Sequence, residues 1–152
     1  MKKICLISSS GGHLEQLLML KPLLEKNSGF IVTEKTNYDY GFSNYNWYFL
    51  KQVNRHEKKF LIFMLVNFFK SMRIFIKEKP DIIISTGALS VIPMCLIGKI
   101  FKKKIIFIES FAKVNSPTLT GKFIYRFADQ FYVQWESMKE IYPNAIFKGG
   151  IY

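Results

Sequence analysis

The chain has 152 residues, of which 49% are hydrophobic, a length and composition that exclude a disordered chain and predict one domain (residues 1–152) with a sizeable core. Its 22 lysine and arginine residues outnumber 11 acidic ones, giving a net charge of +11. That charge favours nucleic acid, anionic lipid headgroups or phosphorylated substrates as partners, without choosing among them.

Short apolar runs alternate with helical patterns along the chain. The runs predict strands at residues 4–7, 30–32, 47–50, 82–84, 105–108, 131–133 and 145–147. The periodic segments predict helices at residues 14–26, 57–79, 89–101, 118–127 and 136–141, and residues 33–46 are typical of a loop. Because the runs are continuously apolar and are separated by helices, we expect a Rossmann-like parallel α/β sheet with helices on both faces.

The first predicted strand ends in Ser8-Ser9-Ser10-Gly11-Gly12-His13, directly before the first helical pattern. Glycines let a backbone approach a phosphate closely, and the start of a helix offers N–H groups and a positive dipole end. His13 adds a group that transfers protons near neutral pH. The alternative is a tight turn in which the glycines only make the bend. The dinucleotide fingerprint G-x-G-x-x-G is absent.

Small or charged residues also follow three later strands: Ser85-Thr86-Gly87-Ala88, Glu109-Ser110-Phe111-Ala112-Lys113 and Gln134-Trp135-Glu136. In a parallel sheet the carboxyl ends of the strands share one edge, where ligands bind, so we expect these segments to converge with the first turn. Each also has a simpler explanation. The segment 85–87 can cap the next helix, and Glu109 can be a helix-dipole partner or an ion-pair member.

The predicted helix at 57–79 is the most apolar segment and also carries many basic residues. A helical wheel places its polar residues in one arc, so we expect the opposite apolar face to pack on the sheet. Apolar residues that fall within the polar arc predict contact with an anionic membrane surface through Phe63, Val66, Lys70, Arg73, Ile74 and Lys77. The alternatives are a buried helix with solvated lysines and a surface for a partner protein.

Several classes of protein are disfavoured. Only three arginines are present and no nucleic-acid motif occurs, so no nucleic acid is expected as a partner. Cys5 and Cys95 lie in apolar runs, which is typical of reduced, buried thiols in a cytoplasmic protein. No residues have metal-ligand spacing, so neither a metal nor a cofactor is expected. The N-terminus does not resemble a signal peptide, and no stretch is long and apolar enough to span a membrane.

Together these motifs resemble a known family, the acceptor-side, membrane-associated subunits of two-chain, lipid-linked oligosaccharide N-acetylglucosaminyltransferases. The resemblance is greater to bacterial capsular and exopolysaccharide counterparts, described as glycosyltransferase enhancers. It is carried by four groups of residues: 9–13 with Glu15, Pro80-Asp81 with 85–87, 108–110 with Lys113-Val114, and Val133-Gln134-Trp135 with Tyr142-Pro143 and Gly149-Gly150.

The resemblance implies the N-terminal half of a GT-B glycosyltransferase. The chain would take part in transfer from a UDP-sugar, which is a substrate and not a cofactor, to a polyprenyl-diphosphate-linked sugar acceptor. A separate UDP-sugar-binding subunit would be its partner, it would have little activity alone, and it would lie peripherally on the cytoplasmic face of the membrane. The alternatives are a non-catalytic scaffold that recruits a complete transferase and a stand-alone nucleotide-binding protein.

The resemblance also implies roles for individual residues. His13 and Glu109 are the candidate catalytic bases. Lys113 stands where the family usually has arginine, which keeps the charge but loses bidentate phosphate binding. The residues expected to bind substrate are Ser10, Gly11, Gly12, Thr86, Gly87, Ser110 and Lys113.

Overall fold

The structure is a computed structural model, and it describes residues 1–37, 41 and 44–152. Its strands are β1 (Lys3–Ser8), β2 (Ser28–Glu34), β3 (Asn46–Leu50), β4 (Ile82–Gly87), β5 (Lys104–Ile108), β6 (Gln130–Val133) and β7 (Ile146–Phe147). They form one seven-stranded parallel sheet in the order β3-β2-β1-β4-β5-β6-β7. The strands predicted from the apolar runs are therefore confirmed. Of the predicted loop at 33–46, residues 33–34 belong to β2, residue 46 belongs to β3, and 38–40 and 42–43 lie outside the described residues.

The α-helices among the described residues are α1 (Gly12–Leu18), α2 (Pro22–Lys26), α3 (Phe60–Glu78), α4 (Ile92–Ile100) and α5 (Leu119–Tyr125). The helix predicted at 14–26 is divided into α1 and α2. Pro22 has no N–H to donate to the preceding turn, and it occupies the first position of α2, where none is needed. Two segments predicted to be α-helical, Leu89–Val91 and Glu136–Glu140, are 3₁₀ turns.

The sheet separates two hydrophobic layers, and helices cover both of its faces as predicted. Side chains alternate along a strand, so Leu6 and Ile7 enter different layers. Ile7 belongs to the larger core, which the sheet forms with α3, α4 and α5. Leu6 belongs to the smaller core with Leu14 and Leu17 of α1 and Leu24 of α2.

The smaller layer does not extend across the whole sheet. The helices α1 and α2 contact β1, β2 and β4. Beyond them, Ile106, Ile108 and Tyr132 are only half-buried. These side chains and residues 148–151 line a groove of about 310 Å³. The β5–β6 part of this face therefore presents apolar surface to the solvent.

The faces of α3 differ in part from the sequence prediction. Asn67 and Ser71, expected in the outer polar arc, are fully buried. The exposed face carries Leu61, Leu65 and Phe69, which are 77%, 57% and 64% exposed. Burial of Asn67 is accommodated because its amide accepts from the Lys51 N–H at 2.8 Å and donates to the Lys51 carbonyl at 2.7 Å. A hydrogen-bonded polar group thus lies inside, and an apolar surface lies outside.

This difference changes the residues available for membrane contact. Val66, Lys70, Arg73 and Lys77 are exposed, as predicted. Ile74 and Phe63 were expected on the same surface, and that prediction is wrong for Ile74 and stays a prediction for Phe63. Ile74 is 8% exposed and packs in the core, whereas the half-buried Phe63 lies under Lys51, with Nζ 4.3 Å from the ring centroid. Within the described part of the chain, no helix has the length and hydropathy needed to cross a bilayer.

Ion pairs connect the amino ends of the strands. Among the described residues, the ion pairs are Lys3–Glu78 at 2.5 Å, Lys103–Asp81 at 3.8 Å and Lys99–Asp129 at 2.8 Å. Asp81 also accepts from the Lys3 N–H at 2.9 Å, and Asp129 accepts from the Ile105 N–H at 2.8 Å. Each of these aspartates therefore satisfies a backbone group where a neighbouring strand begins.

Candidate functional site

The turn at residues 8–13 joins the carboxyl end of β1 to α1. Gly11 has a φ of +74°, a conformation that glycine adopts without steric cost, and its carbonyl accepts from the N–H groups of Leu14 and Glu15 at 2.9 and 3.1 Å. A Cβ added to Gly11 or Gly12 would meet no atom within 4 Å, and no side chain caps the start of α1. The outer side of this turn is therefore open, with room for a ligand.

The Glu34 carboxylate, which the sequence analysis did not identify, fixes the turn to a second loop. Its Oε2 accepts from the N–H and hydroxyl of Ser10 at 3.2 and 2.9 Å, and its Oε1 accepts from the Val53 N–H at 3.3 Å. Glu34 is 4% exposed, at the carboxyl end of β2. Glu34 thus connects two loops of the site through Ser10 and Val53, and the one signal for it in the sequence was an acidic residue at the end of an apolar strand.

The His13 ring is oriented by Thr86. Its Nδ1 lies 2.7 Å from the Thr86 carbonyl oxygen, and the Thr86 hydroxyl donates to the His13 carbonyl at 2.7 Å. A carbonyl oxygen only accepts, so Nδ1 carries the proton and the neutral ring has its lone pair on Nε2. His13 is half-buried, whereas Thr86 is 1% exposed. The arrangement therefore presents Nε2 as a proton acceptor on a fixed ring.

Gly87 makes room for this ring. It has a φ of +101°, and a Cβ at this position would lie 3.2 Å from His13 Nδ1. The next residue, Ala88, donates its N–H to the Ser9 hydroxyl at 3.1 Å, while the Ser9 N–H donates to the Gly87 carbonyl at 2.7 Å. The two predicted small-residue segments are thus in direct contact, as the shared sheet edge required.

Glu109 is 1% exposed and has four hydrogen-bond donors around it. Oε1 accepts from the Ser110 N–H at 2.9 Å and the Thr118 hydroxyl at 2.8 Å. Oε2 accepts from the Thr118 N–H at 3.1 Å and the Tyr142 hydroxyl at 2.8 Å. Burial raises the pKa of Tyr142, and the Glu109 charge raises it further, so the phenol remains a donor. A Cβ at Gly121 would come within 2.1 Å of Oε2.

These contacts correct the assignment of Glu109 as a candidate base. Both carboxylate oxygens are enclosed and hydrogen-bonded, so neither is free to take a proton from a substrate. Glu109 instead holds the loop between β5 and α5. Thr118 ends this loop and caps α5, because its hydroxyl oxygen accepts from the Gly121 N–H at 2.8 Å. The sequence placed a helix start at Thr118 but gave no indication of its contact with Glu109.

Lys113 borders a cleft of about 770 Å³, at which the loops after β3, β4 and β5 meet. Arg55 and His56 line one wall and Ala88 lies beside Gly87 on another. Neither Arg55 nor Lys113 forms an ion pair with any described residue. The hydroxyl of Ser110 accepts from the Ala112 N–H at 3.3 Å, within its own loop. Glu57 also lines the cleft, so Arg55 and Lys113 leave it a small excess of positive charge for a ligand. Ser110 acts on the shape of the loop.

The predicted substrate-binding residues lie at one edge of the sheet, and Arg55, His56, Glu34 and Thr118 join them there. Residues 52–57 belong to a loop for which the sequence analysis predicted no role, and Glu57 lies in this loop rather than at the start of the predicted helix at 57–79. In the described part of the chain, no three His, Cys, Asp or Glu residues are grouped closely enough to hold a metal ion.

Comparison with protein-family models gives a match over residues 49–151 to the family described as "Oligosaccharide biosynthesis protein Alg14 like". The match includes Thr86, Gly87 and Lys113, and the turn at 8–13 precedes it. A UDP-N-acetylglucosamine transferase subunit ALG14 from Rattus norvegicus is 35% identical over 79 residues, 48% of this chain and 37% of the relative. The corresponding Yarrowia lipolytica subunit is 29% identical over 105 residues, 65% and 49% of the two chains. The chain thus spans between about a third and a half of these curated relatives.

Solved structures share the fold at low sequence identity. Acinetobacter baumannii MurG superposes with a TM-score of 0.70 and 17% identity, covering 88% of this chain and 41% of MurG. UDP-N-acetylglucosamine 2-epimerase from Rickettsia bellii gives a TM-score of 0.74 and 18% identity, covering 99% and 45%. The architecture is therefore that of the N-terminal half of GT-B enzymes, as the sequence predicted.

Proposed function

Because residues 49–151 match the family model, this chain belongs to the Alg14-like family of oligosaccharide biosynthesis proteins, and we propose that it is the acceptor-side subunit of a two-chain glycosyltransferase. The complex transfers a sugar from a UDP-sugar to a polyprenyl-diphosphate-linked acceptor in lipid-linked oligosaccharide, capsular or exopolysaccharide synthesis. The observation that carries the proposal is the His13 imidazole at the carboxyl edge of the sheet, which Thr86 holds through Nδ1, while Nε2 has no hydrogen bond to any described residue.

The proposed chemistry needs a base and a positive environment. In the reaction, an acceptor hydroxyl attacks the anomeric carbon of the donor sugar, the bond to the UDP oxygen breaks, and His13 Nε2 takes the hydroxyl proton. General-base assistance of this kind contributes about 10²–10⁴-fold. Gly11 and Gly12 offer an open backbone to a diphosphate, and the unpaired charges of Arg55 and Lys113 lie in the adjoining cleft.

A peripheral position on the cytoplasmic face of the membrane is part of the proposal. The exposed face of α3 combines Leu61, Leu65 and Phe69 with Lys70 and Arg73. Such a surface suits the boundary between acyl chains and anionic headgroups, where each basic residue contributes about 1 kcal/mol. The loop at 52–57 directly precedes α3 and lines the cleft, so an acceptor bound there has its lipid beside the membrane surface.

We assign the donor nucleotide mainly to a separate UDP-sugar-binding subunit. The apolar groove beside β5 and β6 is the surface we propose for its docking. The curated relatives are named as transferase subunits, which supports a second chain in the complex. No metal or other cofactor takes part in the proposed mechanism.

The test is transfer of labelled sugar from a panel of UDP-sugars to polyprenyl-diphosphate-linked acceptors in vesicles. The chain is assayed alone and as a complex purified from cells that co-express the candidate partner. We expect turnover by the complex and little by the isolated chain. Robust turnover by the isolated chain, or none by the complex, would contradict the proposal. A non-catalytic scaffold predicts that His13→Ala leaves the complex fully active.

A further inference from the structure

Two buried glutamines connect the 109–113 loop to α1. Gln16, on α1, and Gln134, directly after β6, are each 5% exposed. The Gln134 amide nitrogen donates to Gln16 Oε1 at 2.7 Å and to the Glu109 carbonyl at 2.9 Å. Gln16 Oε1 also accepts from the Phe111 N–H at 3.2 Å. The backbone on both sides of Ser110 is therefore held by this pair.

The other end of Gln134 holds the segment at residues 149–152. Its Oε1 accepts from the Ile151 N–H at 2.9 Å. The neighbouring Tyr152 ring lies 5.2 Å from the Phe111 ring in an edge-on contact. One side chain thus contacts both the candidate acceptor-binding loop and a segment that is distant from it in sequence.

Trp135 reports on the same loop. Its indole N–H donates to the Phe111 carbonyl at 2.6 Å, and the two ring centroids are 5.0 Å apart. Trp135 is half-buried, and Trp47 is the second of the two tryptophans in the chain. In a Trp47→Phe background, the indole fluorescence therefore depends on the position of the loop.

We propose that Gln134 is a positioning residue that makes the placement of the 109–113 loop depend on docking of the segment 149–152. The geometry supports this because a single primary amide supplies both connections, accepting on the segment side and donating on the loop side. When the segment is docked, the amide is held in the orientation that fixes Glu109 and Phe111. Residues 149–151 of the segment line the groove beside β5 and β6, so a partner that occupies the groove would act on the acceptor loop.

The first experiment uses a matched pair of substitutions, each adding one buried negative charge. Gln134→Glu removes the amide that donates to Gln16 and Glu109 but keeps an acceptor for Ile151. Gln16→Glu keeps an acceptor for both of its donors. We expect Gln134→Glu to raise the exchange rate of the Phe111 amide about tenfold and to increase acrylamide quenching of Trp135. For Gln16→Glu we expect the Phe111 exchange rate and the Trp135 quenching to stay near their wild-type values. Equal effects of the two substitutions would overturn the proposal.

The second experiment tests the segment and keeps the proposal falsifiable if Gln134→Glu fails to fold. Ile151→Pro removes the N–H that Gln134 accepts, whereas Ile151→Ala keeps it and removes the side chain. We expect Ile151→Pro to increase Phe111 exchange and Trp135 quenching in the same direction as Gln134→Glu, by about threefold, and Ile151→Ala to resemble wild type. The segment does not position the loop if Ile151→Pro also resembles wild type.

The consequence for acceptor binding rests on the proposed function, whereas the exchange and fluorescence measurements do not. In the two-chain assay, Gln134→Glu should raise the KM for the lipid acceptor and leave that for the UDP-sugar unchanged, a separation that loss of stability alone would not produce. If the wild-type complex transfers no sugar, the proposed function fails and the positioning result stands. If transfer occurs but the KM values for acceptor and donor rise together, the positioning role fails alone.

Discussion

The two ends of the sheet differ in how they satisfy charge. At the amino ends, the carboxylates of Glu78, Asp81 and Asp129 are paired with lysines. At the carboxyl ends, Glu34 and Glu109 accept only from N–H and O–H groups, and among the described residues Arg55 and Lys113 have no ion-pair partner.

This difference predicts which end of the sheet can bind an anion. Ion pairs at the amino end neutralise lysines and join the starts of neighbouring strands, so substitutions there should change stability and leave ligand binding intact. At the carboxyl end, neutral donors satisfy the acidic groups, so basic residues stay available to an anion. Four variants, one of them a double substitution, test this account.

The largest effect is expected for His13→Ala. Loss of the base should lower transfer by the two-chain complex about 10²–10⁴-fold, while the melting temperature changes little because the ring is only half-buried. The assay is sugar transfer with acceptor vesicles, with complex formation checked by gel filtration. Partial recovery of activity on adding imidazole would support a proton-transfer role. If the purified complex stays fully active, His13 is not the base.

Glu109→Gln should be the most destabilising of the four. The amide nitrogen of a glutamine points its N–H groups at the N–H and O–H groups from which Glu109 accepts. This mismatch lowers the free energy of unfolding by about 2–3 kcal/mol and Tm by about 4–10 °C. Thermal melts followed by circular dichroism measure this, with the exposed Glu136→Gln as the control for charge loss. Below the melting transition, transfer should fall less than tenfold. A loss as large as that of His13→Ala without destabilisation would restore Glu109 as a base.

The third prediction concerns the exposed face of α3. Removing two basic residues with Lys70→Ala and Arg73→Ala should weaken binding to anionic vesicles about thirtyfold, since each contributes about 1 kcal/mol near such a surface. Sedimentation with vesicles at low salt measures the partition coefficient. Lys26→Ala with Lys139→Ala removes the same charge elsewhere and should have little effect. Equal losses for the two pairs would mean that only net charge matters.

The smallest effect on function is expected at the amino end, from Glu78→Gln. Burial raises the pKa of Glu78, but hydrogen bonds from Lys3 and Tyr48 outweigh it and leave the pKa below 4.5. The ionised form therefore stabilises the fold above pH 4.5, and this contribution is lost as the pH falls through the lower folded-state value.

We expect Glu78→Gln to cost about 1 kcal/mol at pH 7, and the difference from wild type to shrink in acid. Urea unfolding between pH 7 and pH 3 measures both. Sugar transfer at pH 7 should be unchanged. A strong loss of transfer with normal stability would remove the distinction between the two ends.

The sequence was sufficient for the strands but not for the faces of α3. Buried parallel strands leave continuous apolar runs, and the ligand edge follows from the parallel arrangement. A helical wheel assumes that the apolar face is buried. In α3 that assumption fails because the buried Asn67 side chain forms hydrogen bonds with the Lys51 backbone, and apolar residues remain on the exposed face.

Long-range polar contacts were also beyond the sequence. The sequence identified Glu109 as a charge beside the end of a strand. The four groups that donate hydrogen bonds to Glu109 belong to Ser110, Thr118 and Tyr142, and Tyr142 is 33 positions away. Gln16 and Gln134 are separated by 118 positions. Neither periodicity nor local spacing contains such pairings, so the roles of these residues required the tertiary structure.

The most direct test compares two half-buried lysines, one at each end of the sheet. Neutral vesicles are prepared with and without a polyprenyl-diphosphate-linked sugar, and binding of wild type, Lys113→Ala and Lys103→Ala is measured by flotation. We predict that the acceptor recruits the wild-type protein and Lys103→Ala equally and that Lys113→Ala loses most of this recruitment. Binding that does not depend on the acceptor, or an equal loss for both variants, would contradict the assignment of the carboxyl end as the acceptor site.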